Sequence, residues 1–193
     1  MEVTYKKLKE NIFAQYPNRW FVETGTYLGD SVQMAIDAGF EYVLSIELSK
    51  KYWSLAFDRF FSNDKVFIWQ GDSSEILYDT IRDIDEPITF WLDGHYSKGD
   101  TAIGRYCTPL MLELQHIAKH HIKTHTIMID DMRCWRKPLE GKPVCRCPLY
   151  PCNNFYGFYE KDIIELLLKI NPDYKITYTD HNELKNDILI AYL

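Results

Sequence analysis

No stretch of this chain is apolar for long enough to cross a bilayer, and its first residues, MEVTYKKLKE, lack the apolar run of a secretion signal. No membrane association is therefore expected, and the cytoplasm is the default location. Positive charge is also scarce: 22 Lys and Arg face 28 Asp and Glu, a net charge of −6. A duplex nucleic-acid binder usually presents a basic face, so nucleic acid is not an expected partner. Paired CxxC motifs are missing. Of five cysteines, Cys134, Cys145, Cys147 and Cys152 fall in one short region. In a reducing compartment disulfides are not expected there; a CxC followed by a third Cys matches zinc spacing poorly, so thiols in a long loop outweigh a Zn²⁺ site at these four residues. Absent too is the three-glycine GxGxxG fingerprint that seats a pyrophosphate on a helix N-terminus.

What is present reads as one α/β domain over residues 1–193, with 46% hydrophobic and 26% charged residues. Apolar runs suited to strands alternate with amphipathic stretches suited to helices. Residues 4–16 carry Tyr5, Leu8, Ile12 and Phe13 at helical spacing, giving an N-terminal helix over 1–17 that Pro17 ends. The segment Phe21 to Ser31 then reads as a strand end, an acidic tip at Glu23, a turn with Gly25 and Gly29, and a helix capped by Asp30 or Ser31 and stopped at Gly39. In a doubly wound sheet such a turn lies beside the switch point where ligands bind. A carboxylate there would repel a pyrophosphate but pair with the ammonium of an amino-acid group, which S-adenosylmethionine carries.

Further acidic tips follow at regular intervals. The run 41–47 ends in Glu47, about two dozen residues after Glu23, where a carboxylate can accept both ribose hydroxyls. A helix over 50–61 buries Tyr52, Leu55, Ala56 and Phe60 by periodicity. A third strand, 65–69, leads to Asp72 and Ser73, which read equally as an adenine contact and as the cap of the next helix. The fourth strand, 87–92, delivers Asp93-Gly94-His95-Tyr96 at its carboxyl end, before a polar, substrate-facing loop. Pro109 opens a helix with Leu110, Leu112, Leu114 and Ile117 inward and Glu113 exposed. A fifth strand, 125–129, ends in Asp130-Asp131, adjacent carboxylates whose repulsion a divalent ion would relieve; with Asp93 they form an oxygen-rich trio. His116, His120, His121 and His125 read as solvated or structural. Arg133 either orients the substrate or balances the aspartates. Residues 132–156, rich in Cys and Pro, form a long loop expected to cover the substrate, and a helix and two strands close the chain.

Glu23, Gly25 and Gly29 resemble the first motif of the class I S-adenosylmethionine-dependent methyltransferases. With Glu47, Asp72, Asp93-Gly94-His95-Tyr96 and Asp130-Asp131, the order of tips resembles the metal-dependent O-methyltransferases of the macrocin O-methyltransferase type, over roughly residues 18–132 and the closing hairpin. The resemblance implies a Rossmann-like, seven-stranded, doubly wound sheet of order 3-2-1-4-5-7-6 with strand 7 antiparallel. It implies S-adenosylmethionine held by Glu23, Thr24, Gly25, Thr26, Tyr27, Gly29, Ser31, Glu47, Asp72, Ser73 and Asp93. It implies Mg²⁺ or Mn²⁺ on Asp93, Asp130 and Asp131, and a sugar or glycan hydroxyl as acceptor near His95, Tyr96 and Arg133. In that family an Asp stands where this chain has His95. A neutral imidazole with an ordinary pKa near 6.5 can take a proton from an activated hydroxyl, so His95, beside Asp93, is the candidate base. A phenolic acceptor, an iron oxygenase-like site at Asp93, His95 and Asp130, and a non-catalytic binding module are the other readings; homo-oligomer formation is left open.

Overall fold

The computed structural model describes residues 12–96, 101–106, 108–136, 158–181 and 183–193. Within them seven strands form one sheet of order β3-β2-β1-β4-β5-β7-β6. The strands are β1 (Trp20–Thr24), β2 (Tyr42–Glu47), β3 (Val66–Gln70), β4 (Ile88–Leu92), β5 (Thr126–Ile129), β6 (Lys175–His181) and β7 (Leu184–Tyr192). β1 to β5 run parallel, and β7 is antiparallel to both β5 and β6. This is the doubly wound, Rossmann-like sheet expected from the sequence, with β7 antiparallel.

The helices are α1 (Asp30–Asp37), α2 (Lys50–Phe60), α3 (Ser73–Ile81), α4 (Leu110–Lys119) and α5 (Glu160–Ile170). They cover both faces of the sheet because consecutive strand residues point to opposite sides. Val22, Leu44, Phe90 and Ile127 enter one core with Leu77, Leu114 and Leu167 from α3, α4 and α5. Phe21, Val43, Trp91 and Met128 enter the other with Val32 and Ala35 of α1 and Phe60 of α2. Phe13 belongs to that second core, packed on Phe21 and Trp91. It lies in a helical turn over 12–15; the rest of the expected N-terminal helix lies outside the described residues. None of the described helices is long and apolar enough to cross a membrane.

Several local expectations change. α1 is capped by Gly29, in the left-handed region at φ 82°, rather than by Asp30 or Ser31. Leu55 is exposed, since α2 buries the stripe Tyr52, Ala56 and Phe60. α4 buries Leu110, Glu113, Leu114 and Ile117, the i, i+3, i+4, i+7 stripe, so Glu113 faces inward and Leu112 turns partly aside. His120 and His125 are buried and structural: His125 Nδ1 accepts the Ile88 N–H at 3.0 Å, and its other nitrogen meets His120 at 3.1 Å. His121 is exposed and pairs with Asp85.

Candidate active site

All five parallel strands end on the same edge of the sheet, and β1 there lies between β2 and β4. The switch point opens into a cavity of about 390 Å³, a size suited to a small-molecule ligand. Gly25, Glu47, Asp72 and Ser73 line one side; Asp93, His95 and Tyr96 line the other. Thr101, Ala102, Gly104 and Tyr106 complete its lining.

Backbone geometry builds the first side. Gly25 sits at φ 87°, and a Cβ there would come within 2.5 Å of the Asp93 carbonyl oxygen, so only glycine lets the β1 turn approach the β4 tip. The Glu47 carboxylate accepts the Tyr27 N–H at 2.8 Å and the Ser49 N–H at 2.7 Å, clasping the glycine turn to the start of α2. Asp72 caps α3, accepting from the Ser74 N–H at 2.9 Å. Its other oxygen accepts the Arg105 N–H at 3.2 Å and lies against Gly104, where a Cβ would come within 2.3 Å. Asp72 therefore caps the helix and anchors the chain at Gly104 and Arg105 at once.

Five residues expected around the cofactor do not line this cavity. Glu23 is fully buried: in the β1–β2 register it lies opposite Ser45, whose hydroxyl donates to it at 2.7 Å. Thr26 extends the same buried chain, 2.6 Å from the Ser45 hydroxyl. Thr24 is buried in the strand, and its carbonyl accepts the Asp93 N–H. Gly29 is required by packing, since a Cβ would lie 2.6 Å from the Phe60 ring. Ser31 belongs to the first turn of α1.

The second side is ionic. Asp130 and Asp131 are adjacent, and Asp131 takes left-handed backbone angles (φ 60°). Asp130, 2% exposed, pairs with Nδ1 of His181 at 2.6 Å and accepts the Asp131 N–H. Asp131 meets Nε2 of His95 at 2.7 Å, while Nδ1 of His95 lies 3.5 Å from Asp93. The expected trio of Asp93, Asp130 and Asp131 is thus regrouped. Among the described residues, donor atoms gather as Asp93, His95 and Asp131, and as Asp130, Asp131 and His181.

Arg133 pairs with both Asp131 and the buried Asp187 of β7, and its own N–H donates to Asp187 at 2.8 Å. It therefore bridges Asp131 and Asp187. Burial opposes charge on His95, but the Asp131 hydrogen bond and the charges of Asp93, Asp131 and Asp130 outweigh it and raise its pKa. Burial likewise tends to raise Asp131, yet His95 and Arg133 bring it down to about 2.

Sequence reasoning missed Glu113. It lies beneath the cavity, accepts the Ser73 hydroxyl at 2.6 Å, and has an oxygen 3.1 Å from where a Cβ on Gly94 would be. Burial raises its pKa to about 7, against the lowering effect of the Ser73 and Thr24 hydroxyls. His181 and Asp187 were also missed, because only the closing hairpin brings them to β5. Helical periodicity already carried a signal for Glu113, a carboxylate on the inward stripe of α4. Of the cysteine cluster, Cys134 lies in a half-buried 3-10 turn at Met132–Cys134, and Cys145, Cys147 and Cys152 lie outside the described residues, as does most of the 132–156 loop.

No family model matches the chain, and no curated protein matches it in sequence. Among solved structures it is similar to an O-methyltransferase from Bacillus cereus in complex with SAH, at 14% identity and TM-score 0.66, over 97% of this chain and 80% of that one. It is also similar to TomG, an O-methyltransferase of Streptomyces achromogenes involved in tomaymycin synthesis and solved with SAM, at 14% identity and TM-score 0.61, over 97% and 78%. A third is SAH-bound methyltransferase PaMTH1 of Podospora anserina, at 12% identity and TM-score 0.61, over 97% and 76%. At these identities the likeness establishes the fold.

Proposed function

We propose that this protein is an S-adenosylmethionine-dependent O-methyltransferase acting on a small-molecule acceptor, with a sugar or glycan hydroxyl as the preferred class. The observation that carries the reading is the cavity at the β1–β4 switch point, with Gly25, Glu47, Asp72 and Ser73 on one wall and Asp93, His95 and Tyr96 on the other. The first wall suits a nucleoside: Glu47 for the ribose hydroxyls, Asp72 and Ser73 for the base. The second wall suits the reacting end.

The reaction is an in-line displacement. An acceptor oxygen lone pair forms a bond to the sulfonium methyl carbon, the carbon–sulfur bond breaks with its electrons passing to sulfur, and the hydroxyl proton leaves. This chain contributes position, holding donor and acceptor in one cavity that Tyr106 also lines. The proton leaves toward the group formed by Asp93, His95 and Asp131. Two carboxylates and an imidazole with donor atoms within 4.8 Å of one another fit a divalent ion, and these three residues would hold it. Bound there, such an ion would lower the pKa of the acceptor hydroxyl.

The test is calorimetric titration of EDTA-treated protein with S-adenosylmethionine, followed by transfer assays with labelled cofactor on sugar and catechol panels. Micromolar binding and label in a sugar support the full reading. Label confined to catechols overturns the acceptor class, and absence of cofactor binding overturns the transferase reading.

A further inference from the structure

We infer that His95 is a ligand of the divalent ion rather than the proton acceptor, and that the site therefore takes an ion that accepts nitrogen, of the Fe²⁺, Co²⁺, Ni²⁺ or Zn²⁺ class, in preference to Mg²⁺. The inference rests on the methyl-transfer reading of the cavity and changes the part played by one residue in it.

Three observations carry it. First, Asp130 is withdrawn from the cavity side: it is 2% exposed, and one of its oxygens meets both His181 and the Asp131 N–H. Among the described residues its donor atoms gather with those of Asp131 and His181, and not with those of Asp93. Second, the His95 ring lies between the remaining two carboxylates, 2.7 Å from Asp131 and 3.5 Å from Asp93, with its side chain only 10% exposed. One donor atom from each of the three residues lies within 4.8 Å of the others, so one nitrogen of the imidazole can ligate an ion there while a carboxylate beside the other nitrogen holds the ring. Third, Asp93 and His95 line the cavity, so this group opens on the ligand, while the group containing His181 lies deeper. The ring of Trp135 stands edge-on to His95, 6.0 Å between centroids, and helps fix the imidazole plane.

The chemical consequence is a change of metal class. Carboxylate-only sites suit Mg²⁺, while an imidazole ligand shifts preference toward the later first-row ions.

The decisive measurement is proton NMR of the full-length protein loaded with Co²⁺ after EDTA treatment, beside calorimetric titrations with Co²⁺, Mg²⁺ and S-adenosylmethionine. A ligating imidazole shows its other ring N–H as a strongly shifted, exchangeable resonance, which a carboxylate-only site cannot give. We expect this resonance in the wild type, its loss in His95→Asp, and its retention in His181→Gln. The preference for Co²⁺ over Mg²⁺ should fall about tenfold or more in His95→Asp. Should that variant fail to fold, His95→Asn serves in its place, and the wild-type spectrum already discriminates. Bound Co²⁺ without a shifted N–H overturns the inference. So does absence of Co²⁺ binding, or a resonance lost in His181→Gln and kept in His95→Asp, which would put the ion in the deeper group. Cofactor binding separates the two levels: intact binding with a carboxylate-only signature overturns the ligand assignment alone, while no binding overturns the transferase reading itself.

Discussion

The carboxylates on the two sides of the β1–β4 junction are held by different kinds of partner. On the β2–β3 side backbone N–H groups hold them: Tyr27 and Ser49 donate to Glu47, Ser74 and Arg105 to Asp72. On the β5–β7 side charged side chains join the backbone donors: His95 and Arg133 at Asp131, His181 beside the Asp131 N–H at Asp130, and the Arg133 guanidinium beside its own N–H at Asp187. A backbone N–H survives every substitution except proline and carries no titratable charge. The first side is therefore fixed by the path of the chain, and the second is adjustable by charge.

The change that should break both sides at once is Gly25→Ala. Its Cβ would meet the Asp93 carbonyl at 2.5 Å in a left-handed backbone, a backbone-to-backbone clash with no flexible side chain to yield. We expect a loss of about 4 kcal/mol, the range of severe single substitutions. That is a fall in Tm of roughly 8–16 °C for a domain of this size, read by thermal melting, with cofactor binding abolished.

Next in size is the pH response of Glu113, which lies under both sides. Its carboxyl titrates at about 7 in the folded state against an ordinary 4.5. Between those values the folded protein holds a proton that the unfolded chain has released. Stability therefore falls as pH rises through this window and levels off above it. The full contribution is about 3 kcal/mol, at 1.36 kcal/mol per unit. Glu113→Gln, neutral throughout and still able to accept from Ser73, should remove this contribution, and urea melts from pH 5 to 8 will check it.

Arg133→Met tests the side-chain clamps alone. It leaves Asp187, which is 1% exposed, beside Asp131 without their shared cation. Because Arg133 itself is 45% exposed on its side chain, the loss should be about 2 kcal/mol, below the 3–5 of a fully buried pair. Asp187→Asn in the same background should recover part of it.

The smallest effect on stability should come from Asp72→Asn, since Asn caps a helix about as well as Asp. We expect less than ~0.5 kcal/mol in a denaturant melt. The second oxygen, which accepts the Arg105 N–H, would become an amide nitrogen, so hydrogen exchange at Arg105 should rise. A large stability loss here would show that the backbone-held side depends on charge after all.

The same contrast explains what the sequence made legible. The strand tips, their order and the closing hairpin follow from apolar runs ending in carboxylates, a pattern read along the chain. Asp72 as a cap and Gly25 at a close approach follow from local backbone rules. The ionic side depends on pairs more than fifty residues apart, Asp130 with His181 and Arg133 with Asp187, which no local spacing encodes. The Ser45 hydroxyl that donates to Glu23 is likewise supplied by the neighbouring strand and has no local signal in the sequence. Asp130 and Asp131 share one donor group with His181, while Asp93 gathers with His95 and Asp131, a division that adjacency in sequence does not encode.

The clasp between Tyr27 and Glu47 has a bearing on how such a site diversifies. Position 27 holds Glu47 through its main-chain N–H, while its ring stands half exposed at the cavity, 4.4 Å from the ring of Tyr52. Its backbone, at φ 50°, favours Asn, Asp and Gly over branched residues. Within that restricted alphabet the side chain can be exchanged without loosening the hydrogen bond that keeps the turn closed. Descendants of this chain can therefore rewrite one wall of the cavity in single steps, each leaving the turn intact.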